Sequence, residues 1–226
     1  MDAESAKRAA GAEAASLVTD GMTLGLGTGS TARWFIVAVG DLVRQGMRLR
    51  GVPTSHASEQ LAQEQGVPLM DLGAEGVDLA VDGADAVDPD LRLIKGAGGA
   101  LLREKIVAAA ARRFVVVVDE SKLRTELSGT VPVEVVRFGV AATLAALHAT
   151  GGTFTLRGDG RGQTVISDNG NLIADGSYPR IDDPEGLAER LDAVPGVAGH
   201  GLFLGMTDLV LAARSDGSVQ RLSSRR

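Results

Sequence analysis

The run at residues 114–118, FVVVV, constrains the fold of this chain more than any other feature. β-Branched and aromatic residues favour strands, and a strand without polar alternate positions is covered on both faces. Such strands belong to parallel sheets, which use helices as crossover connections. Apolar runs alternate with segments of helical periodicity through the first half of the chain. Strands are predicted at 22–26, 47–52, 67–70, 77–81 and 114–118, and helices at 3–18, 30–45, 55–65 and 100–112.

The pattern changes after residue 129. Short strands are predicted at 132–136, 153–156, 164–166 and 171–174, and helices at 139–149 and 184–193. The apolar run DLVLAA at 208–213 is predicted to return to the first sheet. We therefore predict an α/β fold, in which residues 1–129 and 205–226 form a mostly parallel sheet flanked by helices. A smaller α+β domain of residues 130–204 is inserted before the last strand.

Composition excludes several classes of protein. A net charge of −6 and a pI near 5.1 argue against a nucleic-acid partner, because such binding depends on lysine and arginine. The absence of cysteine excludes disulfides, a thiolate nucleophile and cysteine metal sites. The N-terminal residues lack the apolar stretch of a signal peptide, and no run is long enough to span a membrane. We expect a cytoplasmic protein.

The stretch LGLGTGSTA at 24–32 joins a predicted strand to a predicted helix and matches the dinucleotide pattern G-x-G-x-x-G/A. A dinucleotide fold also needs an acidic residue at the end of the second strand, but the first acid there is Glu59, inside the next helix. The G-K-[ST] ending of a nucleoside-triphosphate loop is absent too. Hydroxyls at Thr28, Ser30 and Thr31 beside a helix N-terminus favour a phosphate monoester. The alternative is a strand-to-helix turn with a Ser/Thr cap.

The stretch VDGAD at 81–85 places Asp82 and Asp85 at the end of an apolar strand, where parallel sheets bind ligands. Paired carboxylates can bind a metal, but no histidine accompanies them and the nearby cation is Lys95. The pattern therefore favours proton transfer or binding of sugar hydroxyls, without a metal. The alternative is an Asx-type turn with solvated aspartates.

The stretch KGAGGALLREK at 95–105 combines a glycine-rich loop with the start of a helix. Its backbone N–H groups and Lys95 can stabilise an oxyanion. Glu104 lies one helical turn beyond Ala100, so its side chain is predicted to point back toward this loop. A carboxylate base beside an oxyanion site suits proton transfer between carbons next to a carbonyl. The alternative for Glu104 is a surface salt bridge with Arg103 or Lys105.

These motifs, in this order, resemble the ribose-5-phosphate isomerases of the A type. The resemblance covers most of the chain, and its ordered set of motifs is highly specific. The matching stretches are GLGTGSTA at 25–32, VDGAD at 81–85, KGAGGALLREK at 95–105, VDESK at 118–122, PVEV at 132–135, SDNGNLIAD at 167–175 and VPGVAGHGLFLGM at 194–206.

The resemblance implies a role for each matching residue. The phosphate loop comprises Thr28, Gly29, Ser30 and Thr31, and Lys7 is a further phosphate contact. The segment that meets the sugar hydroxyls and assists ring opening comprises Asp82, Gly83, Ala84 and Asp85. The loop that binds the carbonyl end and stabilises the enediolate comprises Lys95, Gly96, Ala97 and Gly98. Glu104 matches the general base, and Lys122 matches a substrate-contacting lysine.

The implied activity is the interconversion of D-ribose 5-phosphate and D-ribulose 5-phosphate through a cis-enediolate, in the non-oxidative pentose phosphate pathway. The resemblance also implies a Rossmann-like catalytic domain, no metal or organic cofactor, and a homodimer or homotetramer. A first rival is a sugar-phosphate sensor without catalysis, although the chain has no basic helix-turn-helix segment. A second is an amino-sugar phosphate deaminase, which the absence of a well-placed histidine disfavours.

Overall fold

A computed structural model describes residues 3–223 of the chain. The helices are α1 (Ala3–Ala15), α2 (Ala32–Arg44), α3 (His56–Glu64), α4 (Leu101–Ala109), α5 (Val140–His148) and α6 (Pro184–Asp192). The strands are β1 (Thr23–Leu26), β2 (Arg50–Pro53), β3 (Leu79–Asp82), β4 (Ala86–Val87), β5 (Leu93–Ile94), β6 (Phe114–Asp119), β7 (Gly129–Val135), β8 (Thr153–Leu156), β9 (Leu172–Tyr178), β10 (Val197–His200), β11 (Leu202–Phe203), β12 (Leu209–Ala213) and β13 (Val219–Ser223).

The chain divides into two compact units. The first comprises the described residues up to Ala84, Arg103–Leu123, and those from Gly205 onward. The second comprises Asp85–Leu102 and Arg124–Leu204. The segment 85–102, which the sequence-based division assigns to the larger domain, lies in the second unit because β4 and β5 pair with β11.

The first unit is built on a six-stranded sheet in the order β13-β12-β6-β3-β1-β2. All neighbours in it are parallel except β13, which pairs antiparallel with β12 at one edge. The valines of β6 are buried, as expected for a strand covered on both faces. The α/β prediction is thus confirmed, and the run at 208–213 does return to this sheet, as β12 beside β6.

The carboxyl ends of β3, β1 and β2 lie side by side at one end of this sheet, because the three strands are adjacent and parallel. The loop at 27–31, the turn at 54–55 and the segment after Asp82 all follow from that end. The strand predicted at 67–70 is reduced to a single bridge between Gly51 and Leu69. Pro68 lies within it and has no N–H to extend a ladder.

The second unit contains a four-stranded antiparallel sheet, in the order β10-β7-β9-β8, and a small three-stranded sheet of β11, β5 and β4. One face of β7 contributes Val131, Val133 and Val135 to a buried apolar core. The alternate residues Pro132 and Glu134 face the other way and pair in register with Asp175 and Ile173 of β9. The predicted strand at 164–166 forms only isolated bridges.

Helix length in the described part of the chain does not reach what a membrane span needs. The longest helices there, α1 and α2, have 13 residues each, and none is both long and apolar enough to cross a bilayer.

Candidate active site

The loop at 27–31 connects β1 to α2 and requires glycine at two positions. A Cβ on Gly27 would lie 2.3 Å from Oδ1 and 2.5 Å from Cα of Asp82, so no side chain fits there. Gly29 has φ +117°, a conformation that L residues rarely adopt. These glycines bring the backbone against β3 and then turn it into the helix.

The turn into α2 leaves donors unused by the protein. Among residues 3–223, no acceptor meets the backbone N–H groups of Gly29, Ser30, Thr31 and Ala32. They lie at the N-terminus of a 13-residue helix, where the helix dipole favours an anion. A cavity of about 400 Å³ opens beside the loop, and Arg33 contributes to its wall. This arrangement suits a phosphate group.

The Thr28 hydroxyl takes part in a hydrogen-bond network inside the protein. It donates to Ser55 Oγ at 2.7 Å and lies 2.9 Å from Thr54 Oγ1. Thr54 Oγ1 in turn donates to the Leu26 carbonyl at 2.9 Å. Thr28 therefore fixes the loop to the turn after β2, which leaves the backbone N–H groups and the hydroxyls of Ser30 and Thr31 as the candidate anion donors of the loop. The sequence signal for this network was the hydroxyl pair that directly follows β2.

The Asp82 side chain also holds the loop at 27–31 in place. Its side chain is only 3% exposed, and Oδ1 accepts hydrogen bonds from the N–H groups of Thr28 at 2.9 Å and Gly83 at 2.7 Å. The Asp82 carboxylate thus contacts the loop at 27–31 directly, a contact that the sequence did not indicate. Gly83 and Ala84 continue the chain toward Asp85, where the second unit begins.

In the second unit, a hydrogen bond links the Asp85 side chain to the glycine loop at 95–99. Asp85 Oδ2 accepts a hydrogen bond from the Ala97 N–H at 2.9 Å. Lys95 is 2% exposed, its N–H donates to the Gly201 carbonyl at 2.8 Å, and its Nζ lies 5.3 Å from the centre of the Phe203 ring. A buried ammonium over an aromatic face is stabilised by a cation–π interaction. This burial distinguishes Lys95 from an ordinary surface lysine.

The glycine loop uses some of its backbone donors internally. The Gly99 N–H donates to the Gly96 carbonyl at 3.0 Å, and the Ala97 N–H is taken by Asp85. Among residues 3–223, no acceptor meets the Gly98 N–H. No acceptor among these residues meets the Gly96 N–H either, so of the loop donors predicted to stabilise an oxyanion Ala97 is committed, while Gly96 and Gly98 remain available.

Glu104 lies in the first turn of α4, the helix that follows the glycine loop. It is 4% exposed. This burial argues against the alternative of a surface salt bridge, since a charged group is buried only at a cost that a function or a partner must offset.

The profile of the family described as ribose 5-phosphate isomerase A (phosphoriboisomerase A) matches residues 50–217. The chain belongs to the ribose 5-phosphate isomerase A family. Ribose-5-phosphate isomerase A of Roseiflexus sp. (strain RS-1) is 48% identical over 225 residues, which are 97% of this chain and 97% of the relative.

Solved structures agree with this membership. Ribose 5-phosphate isomerase A from Methanocaldococcus jannaschii is similar with a TM-score of 0.93 and 41% identity, covering 98% of this chain and 100% of that one. A D-ribose-5-phosphate isomerase in complex with phospho-erythronic acid is similar with a TM-score of 0.94 and 41% identity, covering 99% of this chain and 100% of that one. The resemblance stated from the sequence motifs is confirmed.

The two other lysines that the resemblance to ribose 5-phosphate isomerase A singled out lie in the first unit. Lys122 ends a 3-10 turn, Glu120–Lys122, directly after β6, and is half-buried. Lys7 lies on α1 with Nζ 3.8 Å from Glu4 Oε2. Glu4 Oε1 also accepts a hydrogen bond from Trp34 Nε1 at 2.9 Å, so one carboxylate connects Lys7 to the first turn of α2.

The sequence did not indicate the contacts that two polar side chains of the second unit make. Arg157 donates to the carbonyls of Gly96 and Ala97 in the glycine loop. Glu134, from the PVEV motif, is fully buried, and its Oε1 accepts hydrogen bonds from three side chains of the SDNGN motif, those of Ser167, Asn169 and Asn171. Both motifs were quoted for the resemblance, but neither pattern indicated that they contact each other.

Proposed function

We propose that this chain interconverts D-ribose 5-phosphate and D-ribulose 5-phosphate. The observation that carries the proposal is a buried carboxylate, Glu104, in the first turn of a helix whose preceding loop holds a buried lysine, Lys95. A base and an oxyanion-stabilising cation are what an aldose–ketose isomerisation needs. Membership of the ribose 5-phosphate isomerase A family supports the choice of substrate.

The substrate phosphate binds at the N-terminus of α2. The N–H groups of residues 29–32, which meet no acceptor in the described part of the chain, supply donors together with the hydroxyls of Ser30 and Thr31, and the helix dipole favours the charge. Lys7 and Lys122 add positive charge. Binding at this remote group contributes energy that positions the reacting carbons.

Asp82 or Asp85 assists opening of the ribose ring by moving a proton between the ring oxygen and the anomeric hydroxyl. Glu104 then removes the proton from C2 of the open aldose. The electron pair of that C–H bond forms the C1–C2 double bond of a cis-enediolate, and the carbonyl π electrons become the charge on O1. Return of the proton to C1, with the hydroxyl proton passing from O2 to O1, gives the ketose.

Lys95 and the Gly98 N–H stabilise the developing oxyanion. A preorganised donor of this kind contributes about 3–4 kcal/mol to transition-state stabilisation. The chemistry needs no organic cofactor, since no electrons leave the substrate. We further propose a cytoplasmic homodimer or homotetramer.

The test is formation of D-ribulose 5-phosphate from D-ribose 5-phosphate, followed by absorbance with a metal chelator present throughout. Glu104→Gln should lower kcat by about 10²- to 10⁴-fold, the usual contribution of a general base. Glu64→Gln, an exposed position on α3, is the matched control and should leave the rate unchanged.

Other outcomes choose between the rivals. A wild-type protein that binds the sugar phosphate without converting it would favour the sensor. Release of ammonia from an amino-sugar phosphate would favour the deaminase. Full activity in Glu104→Gln would show that another group is the base.

A further inference from the structure

Arg157 lies directly after β8, in the second unit, and its side chain is held on two sides. Its guanidinium makes two parallel hydrogen bonds to Asp175 of β9, Nε to Oδ2 at 2.8 Å and Nη2 to Oδ1 at 2.5 Å. The remaining nitrogen, Nη1, donates to the carbonyls of Gly96 at 2.9 Å and Ala97 at 3.0 Å. The arginine side chain is 16% exposed and that of Asp175 is 25% exposed. Such a bidentate pair fixes the guanidinium plane.

The position of these two carbonyls determines where the loop N–H groups point. The described peptide bonds are all trans, so each C=O and the following N–H point to opposite sides. The peptide between Gly96 and Ala97 shows this directly, because its carbonyl meets Arg157 while its N–H meets Asp85 Oδ2. In the next peptide, between Ala97 and Gly98, the carbonyl also accepts a hydrogen bond from Arg157. By the same geometry, the Gly98 N–H points away from the guanidinium.

The contact also changes the strength of that donor. A cation bonded to a carbonyl polarises the whole peptide group, and the N–H of the same group becomes a better donor. The Ala97 carbonyl and the Gly98 N–H belong to one peptide group. Like the Gly96 N–H, the Gly98 N–H meets no acceptor among residues 3–223, but of the two only the Gly98 N–H belongs to a peptide group whose carbonyl accepts from Arg157.

We propose that Arg157, held by Asp175, is a positioning residue that orients and polarises the peptide between Ala97 and Gly98, so that the Gly98 N–H donates to the enediolate oxygen. This inference rests on the proposed isomerase function. Arg157 does not itself touch the substrate. Lysine cannot replace it, since an ammonium lacks the planar fork that bonds Asp175 and both carbonyls together.

The first measurement is steady-state kinetics of Arg157→Ala and Arg157→Lys. Loss of one oxyanion donor costs about 10²- to 10³-fold in kcat, and a donor that is misaligned rather than deleted should cost about 10- to 100-fold. KM should stay within about threefold, because the phosphate loop lies in the first unit and keeps its contacts. Arg161→Ala, at an exposed arginine of the same loop, is the matched control and should behave as wild type.

The second measurement is binding of phospho-erythronic acid, whose carboxylate resembles the two oxygens of the enediolate. Its Kd should rise in Arg157→Ala by about the factor lost in kcat/KM, as expected for a transition-state mimic. The Kd of inorganic phosphate should not change. Added guanidinium ion should restore part of the kcat of Arg157→Ala, and it should do nothing for Arg161→Ala.

Three results would overturn the proposal. One is an unchanged kcat in Arg157→Ala. Another is parallel loss of phospho-erythronic acid and phosphate binding, which would show a general structural defect. The third is full activity in Arg157→Lys. Failure of the proposed function itself would be seen separately, as a wild-type protein that does not isomerise the substrate.

Discussion

Asp82 offers the sharpest test of how the phosphate loop is held. Its Oδ1 accepts the N–H groups of Thr28 and Gly83, at 2.9 and 2.7 Å, in a site where the carboxylate is 3% exposed. Asp82→Asn keeps an oxygen at this position and removes the charge. Asp82→Ala removes the acceptor as well. The pair of variants therefore separates the anchoring role from the ring-opening role.

The expected magnitudes follow from the two hydrogen bonds. A bond to a charged acceptor contributes about 1.5–3 kcal/mol and a neutral one about 0.5–1.5 kcal/mol. Asp82→Asn should thus lower the free energy of unfolding by about 2 kcal/mol, that is, about 1 kcal/mol for each bond. Asp82→Ala should lower it by about 3–6 kcal/mol, since both bonds are lost.

Urea unfolding followed by tryptophan fluorescence measures these differences cleanly, because Trp34 is the chain's one tryptophan and lies on α2 just beyond the loop. Asp41→Asn, at an exposed ion pair with Arg44 on the same helix, is the matched control and should change stability by about 0.5 kcal/mol or less.

Kinetics complete the separation. Asp82→Asn should keep KM within a few-fold and lower kcat if Asp82 assists ring opening, whereas Asp82→Ala should raise KM because the phosphate loop loses its anchor. Equal destabilisation by the two variants, or a change below about 1 kcal/mol in Asp82→Ala, would refute the anchoring argument.

Three further predictions concern positions elsewhere in the fold. Burial raises the pKa of Tyr178, the one tyrosine of the chain. The contribution of this residue to the free energy of unfolding should therefore be intact below about pH 10 and be lost as pH rises through the higher folded-state pKa. Absorbance titrations that coincide for folded and urea-unfolded protein would contradict this. Gly27→Ala places a Cβ 2.3 Å from Asp82 Oδ1 and should destabilise the protein by about 3 kcal/mol or more. The control Gly46→Ala is strained only by its φ of +101° and should cost about 1–2 kcal/mol. Equal losses of unfolding free energy in urea would exclude the clash at Gly27. Glu134→Ala removes the acceptor of three hydrogen bonds and should cost about 4.5–9 kcal/mol, against about 3 kcal/mol for Glu134→Gln. The reverse order in the same assay would show that the buried carboxylate is a net cost.

The first unit could be predicted from sequence because its strands carry a strong local signal. Runs such as 114–118 are continuous, apolar and β-branched, and each is followed or preceded by a helix of clear periodicity. The edge strand β13 was missed, since its sequence VQRLS is half-exposed and its apolar positions do not form a run. Pairing with β12 across a short turn, rather than its own composition, makes it a strand.

The second unit was predicted less completely because its short strands are defined by partners distant in sequence. β4, β5 and β11 have two residues each, and β11 pairs with β5 across more than a hundred positions. Segments of that length carry no periodicity that distinguishes them from a loop. Their location depends on tertiary pairing, which no local window contains.

The candidate site was also predicted only in part, since its residue types were recognisable in the sequence but their contacts were not. Paired carboxylates after an apolar strand indicated Asp82 and Asp85, and a glycine loop before a helix indicated Lys95 and Glu104, because such patterns are recognisable along the chain. The direction of each donor was not recognisable. Thr28 looks like a phosphate ligand in sequence, yet its hydroxyl donates to Ser55.

The glycine loop shows why donor direction needs the structure. Seen as a sequence, KGAGG offers interchangeable N–H groups, any of which could stabilise an oxyanion. In the fold, Asp85 takes the Ala97 N–H while Arg157, about 60 positions later, holds the carbonyl of the next peptide group. Two N–H groups of the loop, those of Gly96 and Gly98, meet no acceptor among residues 3–223, and only that of Gly98 belongs to a peptide group whose carbonyl Arg157 holds. The loop supplies the flexibility that lets peptides face either way, and charged residues distant in sequence decide which way they face.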